Sequence, residues 1–305
     1  MRERQTLAPK PFAWIDFPKD GQGKLLLPMK SHPSGHHHWS GEYTGTLECI
    51  LTLLTPLHVG SGLYGLRDGQ VLKEMFRQGD HLVIPGSSLK GGFRAIAEAI
   101  SLSCVSKSSQ SMPSSYEECK DVKNMCVCCS LFGGVGYLGR IRFHDAQCIT
   151  HSNAQTHKIP TLWTPRQTTW GRKFYKHGTP AVGNEPYEVA PQGAQFQFRV
   201  DVESLTKSEM CLLLTAMGIR GGLRPKLGGG KPRCLGSVNV TLRHARFWSP
   251  HSDAMSYRRE TILLNRDELI VQIDQHDSLL QKDVLIKLNS VLGYEIDGSC
   301  PSGLY

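Results

Sequence analysis

The sequence has no apolar run long enough to cross a bilayer, which excludes a transmembrane helix from the elements that it predicts. Residues 1–21 contain no apolar core of the signal-peptide type, and the acidic residues among them argue against a transit peptide. We therefore expect a cytoplasmic protein with no membrane partner. No internal repeat is strong enough to define an architecture of its own.

Acidic residues are outnumbered by basic ones. The 305 residues include 27 Asp and Glu against 35 Lys and Arg, which gives a formal net charge of +8. This excess of positive charge favours an acidic partner, with nucleic acid the first candidate and an anionic membrane surface the second. Hydrophobic residues make up 39% of the chain and charged residues 20%, as in an ordinary globular protein.

Cysteine is plentiful, and its spacing predicts a metal site rather than disulfides in a reducing compartment. Cys126 and Cys129 form a Cys-x-x-Cys pair, while Cys119 precedes it and Cys104 ends a predicted helix. Four such thiolates can close a tetrahedral Zn²⁺ site and fix a segment that has few large apolar residues. Two alternatives remain open. Cys128 could be a ligand in place of a neighbouring cysteine, or the cysteines could lie in a loop without binding a metal. The cysteines expected to be packing residues are Cys49, Cys148, Cys211 and Cys234.

Apolar periodicity predicts a small α+β core. The predicted elements are strand 46–56, helix 88–104, strand 139–149, strand 194–204, helix 204–219 and strand 237–248. This order suits a ferredoxin-like antiparallel sheet, which RNA-recognition modules share. Residues 62–80 are predicted to be a loop with one short apolar segment. Ser204 or Thr206 is the expected cap of the second helix.

The first helix begins in the stretch IPGSSLKGGFR, residues 84–94. A helix N-terminus presents unpaired N–H groups and partial positive charge, and Lys90 and Arg94 follow closely here. Two interpretations are open. Either Ser87 or Ser88 caps the helix, or this corner binds the phosphates of a polymer.

The Gly-rich segment 221–236 carries cations that suit a phosphodiester backbone. Pro232 follows Lys231 where a nucleotide-binding P-loop needs Ser or Thr to hold magnesium, so an NTPase is excluded. Cations spaced among glycines allow close approach of a phosphate chain without base specificity, although a solvated turn is the alternative. The cations are Arg224, Lys226, Lys231 and Arg233.

Residues 151–192 are polar and proline-rich, and we predict that they project from the core as a hairpin. Cations and aromatic rings alternate there, as in surfaces that bind phosphates and stack bases, although such rings can also form only a local core. The residues are Trp163, Arg166, Trp170, Arg172, Lys173, Phe174, Tyr175 and His177. On strand 139–149, Arg140 and Arg142 lie on the face opposite the apolar residues.

Four motifs occur in a fixed order: TPLHVGSG, IPGSSLKGGFR, CVCCSLFGG with GRIRFHDA, and GGLRPKLGGGKPRCLGSV. Together they resemble the RAMP superfamily, and specifically the backbone subunit of type III CRISPR effector complexes, the Cas family numbered seven. The segment GRKFYKH resembles the type III-D-like branch. The resemblance covers roughly residues 45–248.

The resemblance implies an RNA-recognition-like palm over residues 45–249. A zinc-bound loop at 104–130 and a protruding thumb hairpin at 151–192 belong to this domain. Residues 1–44 are expected to form an irregular N-terminal arm, and residues 250–305 a mostly helical C-terminal extension.

The resemblance also implies a function. Family members hold a guide CRISPR RNA, and those that cut cleave complementary target RNA with an Asp in the loop after the first strand. Asp68 followed by Val71 matches that pattern, whereas Arg67 and Gly69 depart from its usual flanks. The implied cofactors are structural Zn²⁺ and, for cleavage, a divalent cation such as Mg²⁺. The partners are guide RNA, target RNA and other subunits of a ribonucleoprotein. The residues expected to bind RNA are Ser87, Ser88, Lys90, Arg94, Arg140, Arg142, Arg166, Arg172, Lys173, Tyr175, Arg224, Lys226, Lys231 and Arg233.

Three other functions remain open. The first is a scaffold subunit that binds RNA without cutting it. In that case Asp68 only forms a turn, as an Asp in a loop commonly does. A stand-alone endonuclease that processes repeat RNA would use His58, beside the first strand, as acid and base. A zinc protein that binds another polyanion is the third.

Overall fold

The computed structural model describes residues 9–31, 41–67, 69–106, 112–150, 153–162, 171–248, 261–293 and 298–301. Among the predicted site residues, Asp68 and Arg166 lie outside these ranges. The strands are β1 (Phe12–Ile15), β2 (Lys30–Ser31), β3 (Tyr43–Leu53), β4 (Gly60–Arg67), β5 (Gln70–Met75), β6 (Arg77–Gln78), β7 (His81–Ile84), β8 (Met125–Cys126), β9 (Ile141–Phe143), β10 (Ala146–Cys148), β11 (Gln155–Ile159), β12 (Arg172–Tyr175), β13 (Glu185–Val189), β14 (Gln195–Leu205), β15 (Val238–Trp248) and β16 (Thr261–Leu264). The helices are α1 (Gly86–Ala99), α2 (Val127–Phe132), α3 (Lys207–Ala216), α4 (Arg266–Ile273) and α5 (Lys282–Leu292).

The main sheet is antiparallel and contains a ferredoxin-like core. Its strand order is β16-β15-β3-β14-β10-β7-β6, and β9 also pairs with β14. Along the chain, β3 is followed by α1 and then by β9 and β10, while β14 is followed by α3 and then β15. The fourth, first, third and second core strands therefore lie side by side, as in the split βαβ fold. The predicted α+β class is confirmed.

The burial pattern of β3 and α1 explains how this core forms. Every second residue of β3 is buried, so Leu47 and Leu51 point to the same face of the sheet. Helix α1 buries Leu89 and Phe93, at the spacing of one helix face. Burying each of these large apolar side chains contributes roughly 1.5–3 kcal/mol.

Helix α3 is capped by Thr206, one of the two residues that the sequence offered. The Thr206 side chain accepts a hydrogen bond from the Glu209 backbone N–H, and the Glu209 side chain accepts one from the Thr206 N–H. This reciprocal pair is a capping box, and it fixes where the helix begins. Ser204 instead lies in β14 in the left-handed region, at φ 51°.

A second sheet of four strands has the order β11-β13-β5-β4. Its β4–β5 hairpin occupies residues that were predicted to be mainly loop, and that prediction was wrong. The apolar side chains of β4 are exposed, so the strand lacks the alternation that would have revealed it. Strands β11 and β13 are antiparallel neighbours and lie on either side of residues 160–184 in the sequence, a segment that we call the excursion. Strand β13 runs parallel to β5 where Tyr187 pairs with Lys73.

The described segments before β3 and after β15 also pack onto this core. Strand β1 pairs with β12, and Ile15 is buried in the same apolar cluster as the central strands. Helices α4 and α5 contribute Leu269 and Leu288 to that cluster. Strand β16 adds an edge to the main sheet. Among the described residues, no helix has the length and apolar character needed to cross a membrane.

Cys234 was predicted to be a packing residue, and that prediction was wrong. Its sulfur forms a disulfide with Cys300, with the two Cα atoms 5.7 Å apart. The partners lie 66 residues apart in the sequence, and disulfide connectivity cannot be deduced from such spacing. The bond joins the C-terminal segment to the Gly-rich loop.

Candidate metal centre and nucleic-acid interface

Four buried cysteines converge at one point, as their spacing predicted. The sulfur atoms of Cys104, Cys119, Cys126 and Cys129 all lie within 4.8 Å of one another. Cys126 lies in β8 and Cys129 in α2, so the start of this short helix aims two sulfurs at the same centre. The other two cysteines reach it from the connection between α1 and β8.

The cluster has the dimensions of a tetrahedral thiolate site. Cys104 Sγ lies 3.4 Å from Cys129 Sγ and 3.6 Å from Cys126 Sγ. Zn–S bonds of about 2.3 Å in a tetrahedron place sulfurs about 3.8 Å apart, close to these separations. The hydrogen bonds that the Cys126 sulfur shares with Cys104, Cys119 and Cys129 lower its pKa. The donor set therefore fits Zn²⁺, which would be held by four sulfurs with no open position.

Cys128 lies outside the cluster. Its sulfur is 3.5 Å from Ser101 Oγ, and burial raises the pKa of this thiol to about 12. A buried, protonated thiol is a packing group. The alternative ligand register that used Cys128 is therefore not the one that the fold adopts.

Arg94 links this cluster to α1. Its guanidinium donates to Glu98 Oε1 at 2.7 Å, to the Gly133 carbonyl at 2.6 Å and to Cys129 Sγ at 3.2 Å. A cation beside a thiolate cluster offsets negative charge and orients a ligand from outside the first coordination shell. These contacts favour a structural role for Arg94, because its donors are used inside the protein.

The start of α1 differs from the first of the two sequence interpretations, in which Ser87 or Ser88 caps the helix. Pro85 is the N-cap, and no side chain of the helix caps it. The Asp145 carboxylate instead accepts a hydrogen bond from the Gly86 N–H at 2.7 Å, so an acidic group of the protein occupies the first turn. A Cβ at Gly86 would lie 2.2 Å from the Phe143 carbonyl oxygen, so only glycine allows this approach. Neither Ser87 nor Ser88 caps the helix.

One cluster of cations nevertheless lies on the outer side of α1. Burial lowers the pKa of the Lys90 ammonium, and the nearby guanidinium groups of Arg94 and Arg142 lower it further. Arg142 is exposed and pairs with Glu203 at 2.9 Å. Ser87 is exposed at the same end of the helix. Like charges held this close favour binding of an anion.

The Gly-rich loop is not a solvated turn, because it packs on the turn that follows β3. The Gly229 N–H donates to the His58 carbonyl at 2.8 Å, and the Gly236 N–H donates to the Pro56 carbonyl at 2.9 Å. Gly228 has φ +69°, and a Cβ there would lie 2.2 Å from the His58 oxygen. Glycine is needed for this contact. The loop also reaches α1, where Leu227 lies against Gly92.

The cations of this loop differ in burial. Lys226 is buried and donates to the Lys176 carbonyl at 2.9 Å, and burial, with the nearby Lys231 charge, lowers its pKa to about 7. Arg224 and Lys231 are half-buried. Arg233 is buried and donates to the Thr161 carbonyl at 2.9 Å. Arg224 and Lys231 are thus the partly exposed cations of the loop, and burial lowers the pKa of the Lys231 ammonium.

Two further predicted RNA contacts also make internal hydrogen bonds. Arg140 is buried, where it pairs with Glu209 and donates to the Ser204 carbonyl at 2.8 Å. Arg172 is buried and donates to the Ser103 carbonyl at 2.9 Å. Both tie segments of the fold together. In contrast, Lys173 and Tyr175 on β12 are half-buried.

The family model of the RAMP superfamily matches residues 50–239, which is more than half of the chain. The chain belongs to the RAMP superfamily. No curated protein matches the chain significantly. RAMP proteins are ferredoxin-like RNA-binding proteins of CRISPR systems and work in multi-subunit complexes, and membership of this family suggests a CRISPR-associated RNA-binding subunit.

In this RAMP protein a buried carboxylate holds the β4–β5 hairpin. The Oε1 atom of Glu188, on β13, forms ion pairs with the guanidinium groups of Arg67 at 2.9 Å and Arg77 at 2.6 Å. Its Oε2 accepts the Met75 N–H at 2.9 Å. Arg67 also donates to the Ala154 carbonyl at 3.1 Å, beside β11. The hairpin is thereby fastened to both strands that frame the excursion.

Sequence reasoning missed Glu188, because a single acid in a strand carries no motif. Burial raises its pKa, but the hydrogen bonds of Arg77 and Met75 and the charge of Arg67 outweigh burial and lower it. Arg67, which departs from the usual flank of the family pattern, has a structural role here. Its side chain joins the hairpin to Glu188, as does the Met75 N–H.

His58 is buried beneath the Gly-rich loop. Its Nδ1 lies 2.7 Å from the Glu188 carbonyl oxygen, and its ring meets Tyr187 edge-on at 5.0 Å. Burial lowers the pKa of this imidazole. A buried histidine bonded to backbone cannot reach a substrate phosphate, so the geometry disfavours the stand-alone endonuclease that would depend on it.

Proposed function

We propose that this RAMP protein is a backbone subunit of a type III CRISPR effector complex, of the Cas family numbered seven and related to the type III-D branch. The observation that carries the proposal is the combination of a RAMP core with a hairpin inserted after its first strand. Strand β4 ends at Arg67 and β5 begins at Gln70, and these two residues pair. Asp68, although outside the described residues, belongs to the turn sequence between them.

Guide RNA would follow the accessible cations on one side of the molecule. The cluster at the outer side of α1 and the Gly-rich loop are neighbours, because Leu227 of the loop packs on Gly92 of the helix. A phosphate backbone needs such a continuous positive surface and few base contacts. The residues assigned to RNA contact are Ser87, Ser88, Lys90, Arg142, Lys173, Tyr175, Arg224 and Lys231. Each of five other cations donates to a backbone carbonyl of a distant segment and is therefore assigned to support of that surface, namely Arg94, Arg140, Arg172, Lys226 and Arg233.

Target RNA would be cleaved beside Asp68. The carboxylate takes the proton of a 2′-hydroxyl, whose oxygen attacks the adjacent phosphorus and expels the 5′-oxygen of the next nucleotide. Correct in-line positioning supplies much of the acceleration, and the Glu188 contacts with Arg67 would fix the hairpin for it. A divalent cation such as Mg²⁺, when bound, would stabilise the negative charge that develops on the phosphate.

Substitution Asp68→Ala tests the cleavage proposal. A complex assembled with this variant should cleave a labelled complementary RNA at least a hundredfold more slowly, as expected for loss of a general base. It should still bind the target RNA. Asp80→Ala is the matched control, because Asp80 is an exposed acid in the turn of the next hairpin.

Equal cleavage by the wild-type and Asp68→Ala complexes would remove the catalytic role of Asp68. A wild-type complex that binds guide and target RNA without cutting would instead identify a non-catalytic scaffold subunit. Cleavage of repeat RNA by the purified chain alone would support the stand-alone endonuclease.

A further inference from the structure

The Cys234–Cys300 disulfide lies where the C-terminal segment, residues 298–301, meets the Gly-rich loop. Two backbone hydrogen bonds join the same segment to the excursion. The Cys300 N–H donates to the Thr179 carbonyl at 3.2 Å, and the Thr179 N–H donates to the Gly298 carbonyl at 3.0 Å. Each such bond contributes little net stability, because water replaces it when it breaks. The disulfide is therefore the link that keeps this segment on the loop.

The disulfide also bears on the backbone that carries Lys231, a cation assigned above to RNA contact. Lys231–Arg233 form one turn of 3₁₀ helix, and Cys234 ends it. The Cys234 N–H donates to the Lys231 carbonyl at 3.1 Å. On the other side of the bond, the Cys300 sulfur lies 3.6 Å from the Pro232 carbonyl oxygen. The turn that presents Lys231 is thus in contact with both half-cystines.

The Cys234 backbone has the left-handed conformation, at φ 65°. A residue with a side chain rarely adopts this conformation, because its Cβ comes close to the following carbonyl oxygen. Such a conformation persists where the surroundings constrain it. The disulfide is one of these constraints, so opening it allows the end of the turn to relax and Lys231 to move.

Basic groups surround the Cys234 sulfur. Lys226 Nζ and Cys234 Sγ contact the same oxygen, the Lys176 carbonyl, at 2.9 Å and 3.9 Å. The Lys231 charge is close enough to Lys226 to lower the pKa of its ammonium. Neighbouring cations stabilise a thiolate, and a more stable thiolate leaves a disulfide faster and favours the reduced form. This disulfide is therefore easier to reduce than one in apolar surroundings.

The two half-cystines differ in access. Cys234 is fully buried, whereas Cys300 is 9% exposed and lies between exposed or partly exposed neighbours. A thiolate from outside would therefore attack Cys300 and displace Cys234. The other eight cysteines form no disulfide. In the cytoplasm, which the sequence predicts for this chain, protein disulfides are usually transient and redox-sensing rather than structural.

We propose that the Cys234–Cys300 disulfide is a redox switch on the RNA-binding loop. The closed bond holds the C-terminal segment on the loop and keeps Lys231 in place for RNA, and reduction by a cellular thiol such as glutathione releases the segment and weakens RNA binding. The proposal rests on the RNA-binding function proposed above.

The reduction consumes two glutathione molecules. The first, as its thiolate, bonds to the Cys300 sulfur and expels the Cys234 thiolate, which takes up a proton. The second attacks the glutathione sulfur of this mixed disulfide, expels the Cys300 thiolate and leaves as oxidised glutathione. Two electrons pass from the glutathione pair to the protein, and oxidised glutathione reverses both steps.

The first measurement tests the switch without RNA. The full-length chain is equilibrated in glutathione buffers from fully oxidised to fully reduced, its free thiols are alkylated, and the peptides with Cys234 and Cys300 are analysed by mass spectrometry. The bond should be closed in oxidised and open in reduced glutathione, with loss of amide-exchange protection at Thr179 and Cys300 when it opens. A bond that survives reduced glutathione, or thiols that stay free in oxidised glutathione, would overturn the proposal.

The second measurement is the affinity of both forms for a fluorescent oligoadenylate of about 16 nucleotides, followed by anisotropy. Reduction should weaken binding about tenfold, the equilibrium factor for freeing one left-handed residue. Cys300→Ser cannot form the bond and should bind like the reduced wild type in either buffer. Cys148→Ser, which lacks a free cysteine elsewhere, should respond to glutathione as the wild type does.

The outcomes separate this proposal from the function on which it rests. If both forms of the wild type bind RNA equally well, the switch is overturned and the RNA-binding function stands. If Cys300→Ser still responds to glutathione, the response arises at other cysteines and the switch is again overturned. If neither form binds RNA, the RNA-binding function is overturned together with its redox control.

Discussion

The Glu188 carboxylate lies between two guanidinium groups, with 4% of its side chain exposed. Substitution Glu188→Gln leaves Arg67 and Arg77 without their counter-charge in a partly buried site. We expect the free energy of unfolding to fall by about 2 kcal/mol, less than for a fully buried pair because both arginines are partly exposed. Chemical denaturation measures this, with Glu185→Gln, an acid of the same strand, as the control. The same variant should slow target cleavage if Asp68 cuts.

The sign of the Glu188 contribution also sets its pH dependence. Because folding lowers the pKa of this carboxyl, its stabilisation is present above the pKa of an unfolded glutamate and is lost as the pH falls below it. Glu188→Gln and the wild type should therefore converge in stability in acid. Parallel curves down to low pH would contradict the assignment.

Lys226 should also make stability rise with pH, but on the alkaline side. Burial lowers its pKa to about 7 in the folded protein, against an ordinary value near 10.5. Between these values the unfolded chain holds a proton that the folded chain has released, so stability rises with pH. The melting temperature of the wild type should rise relative to Lys226→Met between about pH 7 and pH 10. The exposed Lys120→Met variant should follow the wild type, and a Lys226→Met curve parallel to the wild type would contradict the prediction.

At the scale of elements, the cysteine cluster adds to the apolar packing around β8 and α2, where Met125, Leu131 and Phe132 are buried in the main core. Cys126→Ser should abolish the one zinc per chain that we expect, because a three-sulfur site binds the metal much more weakly. Elemental analysis of the purified protein measures this. Cys148→Ser is the control, as Cys148 is a free cysteine outside the cluster. Full zinc content in Cys126→Ser would show that the metal binds elsewhere.

The elements that the sequence could predict are those that show a local pattern. Strands β3, β14 and β15 alternate in burial, α1 has a single apolar face, and Cys126 and Cys129 have the spacing of a zinc ligand pair. The β4–β5 hairpin could not be predicted in the same way because Leu63, Tyr64 and Leu66 are exposed. Strand β1 could not be predicted because its partner lies far along the chain.

In the candidate site, the roles of single side chains could not be predicted from the sequence either. The cations of the Gly-rich loop and of strand 139–149 were predicted to face RNA, yet the structure engages Arg140, Lys226 and Arg233 internally. A sequence gives the charge of a residue but not the carbonyl or carboxylate that folding brings beside it. The same reason hides the Cys234–Cys300 bond.

At the scale of the whole molecule, the RAMP core supports the cationic surface that we propose for guide RNA. The main sheet and its helices fix the Gly-rich loop against α1, the cysteine cluster fixes the connection after α1, and the disulfide joins the C-terminal segment to the loop. These constraints make the surface rigid before RNA binds. A rigid, positively charged surface suits a polymer whose backbone is recognised without regard to sequence.

The most direct test of this account is the nucleic acid that co-purifies with the chain when it is expressed with a CRISPR array and its partner subunits. The account predicts short RNA of uniform length that derives from the array. A double variant with the charge-reversing substitutions Lys90→Glu and Lys231→Glu should lose this RNA. The control Lys120→Glu, at an exposed residue, should retain it. Two results would contradict the central claim that this surface holds a guide strand. One is that no RNA co-purifies, and the other is that random fragments co-purify equally with the wild type, the double variant and the control.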